Sequence, residues 1–227
     1  MRFNLITKRL LLQGIVFDFD GTLAKLNIDF TRMRKEVLAL IESYDIPFLQ
    51  GVFRDLFVLE MITAGADLIG WYHPGQDTDF LVRAGALISH IETEAAQRSS
   101  LFDGIREMLE GLRQRNIKTG VVTRNCLSAV QMLFPDIEQS THAVITREQT
   151  PHVKPHIEHL LLMLDTLDVA VEHAAMVGDH PLDIKIGKDA GVFTIGVLTG
   201  ASRREALEQA GADLILNAAT DIPSHLV

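Results

Sequence analysis

The stretch Ile15-Val16-Phe17-Asp18-Phe19-Asp20-Gly21-Thr22 decides how the chain is read. A short apolar and aromatic run that ends in Gly-Thr predicts a buried strand running into a loop. Side chains alternate faces along a strand, so Asp18 and Asp20 share one face while Phe17 and Phe19 take the other. Two carboxylates therefore arrive together at the strand's carboxyl end.

Outward from this strand the pattern changes twice. From Ala24 to Ser100 the apolar residues fall at helical spacing: Phe30, Met33, Val37, Ile41 and Tyr44, then Leu49, Phe53, Leu56 and Phe57. A third stripe, Phe80, Ala84, Leu87, Ile91 and Ala95, follows a Gly/Pro-bearing stretch from Gly65 to Gly75 that reads as a connection. After Phe102-Asp103-Gly104 helices alternate with apolar strands. The strands are expected at Lys118–Thr123, His142–Ile145, Ala174–Val177, Phe193–Val197 and Asp213–Leu216. Helices are expected up to Arg115 and over Leu127–Leu133, Ile157–Leu167, Leu182–Ala190 and Arg204–Gln209. Such alternation implies an α/β fold, a Rossmann-like parallel sheet covered by helices on both faces. Residues 1–23 and 101–227 would form that core, and residues 24–100 an inserted helical bundle.

Composition narrows the function classes. A chain of 227 residues with 47% hydrophobic and 22% charged residues is neither disordered nor fibrous. Its formal charge, 21 minus 30 or −9, argues against nucleic acid or an anionic membrane as partner. Cys126 is the only cysteine, which excludes an internal disulfide framework and a Cys-rich zinc site and suits a reducing compartment. No apolar run approaches the roughly 20 residues that span a bilayer. The start, with Lys8 and Arg9 before Leu10 to Leu12, has too short an apolar stretch for a leader, and the expected location is the cytoplasm.

In open parallel sheets ligands bind outside the carboxyl ends of the strands. The first such end carries Asp18 and Asp20. The second carries Thr123, followed by Arg124-Asn125 at a helix start, where a hydroxyl and free backbone N–H groups can hold a phosphate. Lys154 precedes Pro155, which is expected to open a helix. Gly178-Asp179-His180-Pro181-Leu182-Asp183 adds two acids after the fourth strand. Four carboxylates around one lysine require a further cation. Oxygen ligands and a phosphate-bearing substrate suit Mg2+ better than zinc.

The four segments Asp18-Phe19-Asp20-Gly21-Thr22, Thr123, Lys154-Pro155 and Gly178-Asp179 to Asp183 resemble, in order and spacing, the four motifs of the haloacid dehalogenase superfamily. The resemblance spans essentially the whole chain. The insertion is similar to the helical cap of the phosphoglycolate-phosphatase and beta-phosphoglucomutase branch. Two departures from that branch are a missing second proline after Lys154-Pro155 and Gly187 where alanine is frequent. The resemblance implies that Asp18 attacks phosphorus to form an aspartyl-phosphate and that Asp20 protonates the leaving oxygen and then activates water. Thr123 and Lys154 would bind the non-bridging oxygens. Mg2+ would be held by the Asp18 carboxylate, the Asp20 backbone carbonyl and Asp179, with Asp183 binding it through water or orienting Lys154. Dehalogenation needs no acid/base partner, so Asp20 favours phosphoryl chemistry. The expected activity is hydrolysis of a small phosphorylated metabolite, phosphoglycolate-like or a sugar phosphate. A phosphosugar mutase and a non-catalytic binding protein on the same fold are the alternatives.

Other residues read more plainly. Asn125 could donate to phosphate or cap a helix, and Arg54, Trp71, Tyr72, His73 and Arg83 in the insertion are candidates for substrate contact. A calcium loop starting at Asp18 fails because Leu23 stands where glycine is required. His152, His156 and His159 read as solvated histidines at a helix start rather than metal ligands, and Cys126 as a small packing residue.

Overall fold

The computed structural model describes residues 12–25, 27–47 and 51–226. The basic start up to residue 11, and Leu49, lie outside the described residues. β1 (Gly14–Phe17) is buried along its length and pairs in parallel with β4 (Lys118–Val122) on one side and β6 (Ala174–Gly178) on the other. β5 (Ala143–Ile145) extends the sheet beyond β4, and β7 (Phe193–Val197) and β8 (Leu214–Leu216) extend it beyond β6. All five pairings in the order β5-β4-β1-β6-β7-β8 are parallel, so every carboxyl end lies at one edge of the sheet.

The alternation along these strands sorts their side chains into two cores. Ile15, Phe17, Phe19, Val121, Ala175, Val177, Ile195 and Val197 pack with Ile105, Met108, Leu109 and Leu112 of α4 (Ile105–Gln114). Val16, Val122 and Met176 pack on the opposite face with Leu160, Met163, Leu164 and Leu167 of α7 (Glu158–Leu167). Ile186 of α8 (Pro181–Ala190) joins the second core. Both faces are covered, as an α/β Rossmann-like sheet with continuously apolar strands requires.

Strand β1 ends three residues earlier than expected. Asp18 N–H still donates to Val177 O at 2.8 Å, but the Phe19 carbonyl then accepts from Leu23 and Ala24, each at 3.0 Å. That turn pulls Asp20 out of the ladder while leaving Phe19 in the core. Gly21 sits in the turn at φ 84°, a left-handed conformation that costs glycine little. The chain after the turn forms a short ribbon, β2 (Ala24–Lys25) antiparallel to β3 (Ser100–Leu101).

The chain divides into two compact units, Asn27–Arg98 and the remainder. The first contains α1 (Phe30–Glu42), α2 (Val58–Tyr72) and α3 (Asp77–Ala96). Their shared core includes Met33, Val37, Ile41, Met61, Ile62, Ile69, Phe80, Ala84 and Ile91. Three sequence expectations are corrected here. The supposed connection from Gly65 to Gly75 is mostly the second half of α2, with only residues 73–76 between helices. Gly65 is in that helix because a Cβ there would come within 2.9 Å of the Ile41 side chain, and near Phe80, so the glycine permits close helix packing. Phe30, the first residue of the first stripe, is 62% exposed. In α3 it is Ile88, rather than Leu87, that joins Phe80 and Ala84 among the fully buried residues. Among the described residues no helix is long and apolar enough to cross a membrane.

Candidate active site

Four chain segments meet at the carboxyl edge of the sheet. The β1 end supplies Asp18, which is buried, and Asp20, which is half-buried. The β4 end supplies Thr123, whose N–H donates to Ile145 O at 3.1 Å and whose side chain is buried. The loop before α7 supplies Lys154, and the β6 end with the first turn of α8 supplies Asp179 and Asp183. In α8 His180 is the N-cap, Pro181 occupies the first turn, and Asp183 Oδ2 accepts from His180 N–H at 3.1 Å. Asp183 thus caps its helix with one oxygen and accepts from Lys154 Nζ at 2.7 Å with the other.

Lys154 is only 3% exposed, and its ammonium is ion-paired to both Asp18 and Asp183. Burial alone would lower its pKa, but the two carboxylates outweigh burial and hold it above the ordinary lysine range. Asp18 is pushed well above the usual carboxylate range, by burial first, against the pull of Lys154 and with the help of Asp183, Asp179 and Asp20. Burial and then Asp183 raise Asp179 to about 6, although its Oδ2 accepts from Ala201 N–H at 3.0 Å. One ligand oxygen from each of Asp18, Asp179 and Asp183 lies within 4.8 Å of the others. Three buried carboxylates against one ammonium leave negative charge that a second cation would neutralise. The all-oxygen donor set fits a hard ion such as Mg2+.

Beside this cluster, Thr123 Oγ1 donates to Asp20 Oδ2 at 3.4 Å and Asn125 Nδ2 to Asp20 Oδ1 at 3.3 Å. Thr123 Oγ1 in turn accepts from Asn125 N–H at 3.0 Å. Asp20, Thr123 and Asn125 thus form one hydrogen-bonded set and Asp18, Lys154, Asp179 and Asp183 another, joined through the β1 end, where the Asp20 charge also acts on Asp18. Arg54 belongs to the helical unit, where it is exposed and its carbonyl accepts from Arg34 Nη2 at 2.9 Å.

The sequence pattern of the haloacid dehalogenase-like hydrolases matches residues 15–197. The chain belongs to that family. It is 29% identical over 185 residues to a haloacid dehalogenase-like hydrolase domain-containing protein of Arabidopsis thaliana, covering 81% of this chain and 69% of that one. It is 27% identical over 226 residues to the pyrophosphatase PpaX of Bacillus cereus, covering 92% and 93% of the two chains. The crystal structure of a hydrolase from Pseudomonas syringae shares the fold, with a TM-score of 0.68 at 17% identity, covering 94% of this chain and 97% of that one.

Within this haloacid dehalogenase-like hydrolase, His159 is the residue whose place differs most from expectation. The sequence reads it as solvated, yet its exposure is 0%. Its Nδ1 accepts from Lys154 N–H at 3.2 Å, so Nε2 carries the proton and donates to Ile145 O at 3.1 Å. The imidazole thereby ties the Lys154 backbone to the end of β5. Burial, and then the Lys154 charge, lower its pKa to about 4 and keep it neutral. The signal in the sequence is its position in the buried stripe of α7, beside Leu160 and one turn before Met163. Pro155 does not open that helix: the chain turns through residues 155–157, and α7 starts at Glu158. The exposed His152 and His156 have ring centroids 5.0 Å apart, and His159 is turned to other partners.

Proposed function

We propose that this protein is a Mg2+-dependent phosphatase that hydrolyses small phosphate esters through an aspartyl-phosphate at Asp18. The observation that carries this reading is the buried pairing of Asp18 with Lys154, itself held by Asp183 Oδ1 at 2.7 Å. A carboxylate kept beside a fixed ammonium is a nucleophile with a phosphoryl-oxygen ligand already in position. An Asp18 oxygen attacks phosphorus and the ester P–O bond breaks. Asp20 gives its proton to the leaving oxygen. In the second half Asp20 takes a proton from the water that attacks phosphorus, and the Asp18 carboxylate is released. Thr123 at the end of β4 and Lys154 receive the non-bridging oxygens. The Asp18, Asp179 and Asp183 carboxylates and the Asp20 backbone carbonyl would hold Mg2+, which when bound offsets the negative charge of carboxylates and phosphoryl group. The helical unit is assigned the role of cap, with Arg54 as its candidate for substrate contact, by the family resemblance.

Similarity to a pyrophosphatase places inorganic pyrophosphate in the substrate panel beside phosphoglycolate and sugar phosphates. The test is phosphate release from that panel with Mg2+ and with chelator, for wild type and Asp18→Asn. Mg2+-dependent release that the variant lacks is the expected result. Turnover retained in Asp18→Asn contradicts the nucleophile assignment, and isomer formation without phosphate release replaces the phosphatase by a mutase.

A further inference from the structure

Asn125 reads from the sequence as a phosphate donor or a helix cap, and its contacts indicate another role. It is 2% exposed, and its amide orientation is settled by its neighbours. Oδ1 accepts from Cys126 N–H at 2.8 Å, a group that can only donate, so the amide nitrogen is the end turned to Asp20 Oδ1 at 3.3 Å. Asn125 N–H donates to Thr123 Oγ1 at 3.0 Å, and that hydroxyl donates to Asp20 Oδ2 at 3.4 Å. One tripeptide at the end of β4 thus addresses both carboxyl oxygens of Asp20.

We infer that Asn125 is a positioning residue that sets the orientation of the Asp20 carboxyl for proton transfer, and that it is not a ligand of the phosphoryl group. The inference rests on the phosphatase reading above. Under that reading Thr123 turns its hydroxyl to a phosphoryl oxygen when substrate binds, while the Asn125 amide stays on Asp20. A general acid contributes only if its proton points at the leaving oxygen, because proton transfer needs hydrogen-bond reach. A carboxyl free to rotate about its last bond spends time in orientations that cannot transfer.

The consequence is selective for leaving groups. A dinitrophenolate leaves without a proton, whereas an alkoxide does not. The experiment compares kcat/KM for dinitrophenyl phosphate and glycerol phosphate in wild type, Asn125→Leu and Asn125→Asp, with Asp20→Ala as reference. Asn125→Leu keeps the branched heavy-atom skeleton of the side chain and removes both amide contacts. Asn125→Asp keeps the shape and the acceptor for Cys126 N–H but loses the donor to Asp20, which keeps the test available if the leucine variant does not fold. Both esters carry the same phosphoryl group, so effects on phosphate binding or on the active fraction cancel in the ratio of the two rates. The expected result is a loss of about tenfold or more on glycerol phosphate, part of the 10²–10⁴ that general acid catalysis supplies. On dinitrophenyl phosphate the change should stay within about twofold, and Asp20→Ala should give the same pattern with a larger ratio. An equal loss on both esters, or no loss on either, overturns the inference. Failure of the phosphatase reading looks different: wild type hydrolyses neither ester, or Asp18→Asn remains active.

Discussion

In the helical unit Arg32 joins Glu36 at 2.7 Å and Glu94 at 2.6 Å, with all three side chains more than a third exposed. In the sheet unit Lys154 joins Asp18 and Asp183 with all three side chains below a tenth exposed. The two clusters have the same stoichiometry, one cation between two carboxylates, and opposite physics. Water screens the first, and holding three long side chains in place offsets much of what the pairing contributes. The second was taken out of water at a large cost that only good geometry and further partners offset. Asp179 adds a third buried carboxylate within 4.8 Å, which makes the imbalance larger. A fold that tolerates such a cluster at the edge where its parallel strands end carries it for chemistry more than for stability.

The contrast can be broken by mutation, most severely at Lys154. Lys154→Met leaves Asp18 and Asp183 facing each other without their ammonium. Turnover should vanish, and urea unfolding in chelator should show a loss of roughly 3–5 kcal/mol, as for a buried pair stripped of one partner. A variant as stable as wild type would mean that the pair is not electrostatically expensive.

His159→Leu has the next largest effect, because it leaves Lys154 N–H buried without its imidazole acceptor and reduces Ile145 C=O to its bond from Thr123 N–H. The expected cost is about 2 kcal/mol in urea unfolding, with reduced turnover. This residue also sets a pH dependence. Its folded pKa of about 4 lies below the ordinary 6.5, so between these values the unfolded chain binds more protons. Stability from this source is complete above pH 6.5 and is lost as the pH falls toward 4. The slope of unfolding free energy against pH in that window should be shallower in His159→Leu, and an unchanged slope would assign the acid sensitivity elsewhere.

Arg32→Gln gives the smallest effect. Its urea midpoint should stay within the scatter of replicates and phosphate release should be unchanged, since the pair it breaks is solvated. A clear loss would erase the distinction between the two clusters.

The parallel sheet is legible in the sequence because its strands are continuously apolar and alternate with helices, and the period of two sends Ile15, Phe17 and Phe19 into one core and keeps Asp18 out of it, while the turn that follows places Asp20. Asp18, Asp20 and Asp179 are legible because they follow strand ends, where the fold leaves side chains free of the core, whereas Lys154, well beyond β5, and Asp183, inside α8, are legible from their order among the motifs. What escapes a sequence reading has a physical reason in each case. Gly65 and Gly70 look like loop punctuation, but Gly65 packs under Ile41 inside a helix, and packing overrides propensity. His159 is polar by type yet buried because both ring nitrogens find backbone partners, which a linear pattern does not reveal. Asp183 serves helix and lysine together, so capping and orienting Lys154, which a linear reading treats as alternatives, are both true of it.

The most direct test of Asp18 as phosphoryl acceptor uses Asp20→Ala with dinitrophenyl phosphate, since that ester needs no acid in the first half and the second half lacks its base. The account predicts a burst of one dinitrophenolate per enzyme, and borohydride reduction of the trapped acyl phosphate should convert position 18, and no other, to homoserine in the peptide mass spectrum. Steady turnover without a burst, with position 18 unmodified, would contradict it.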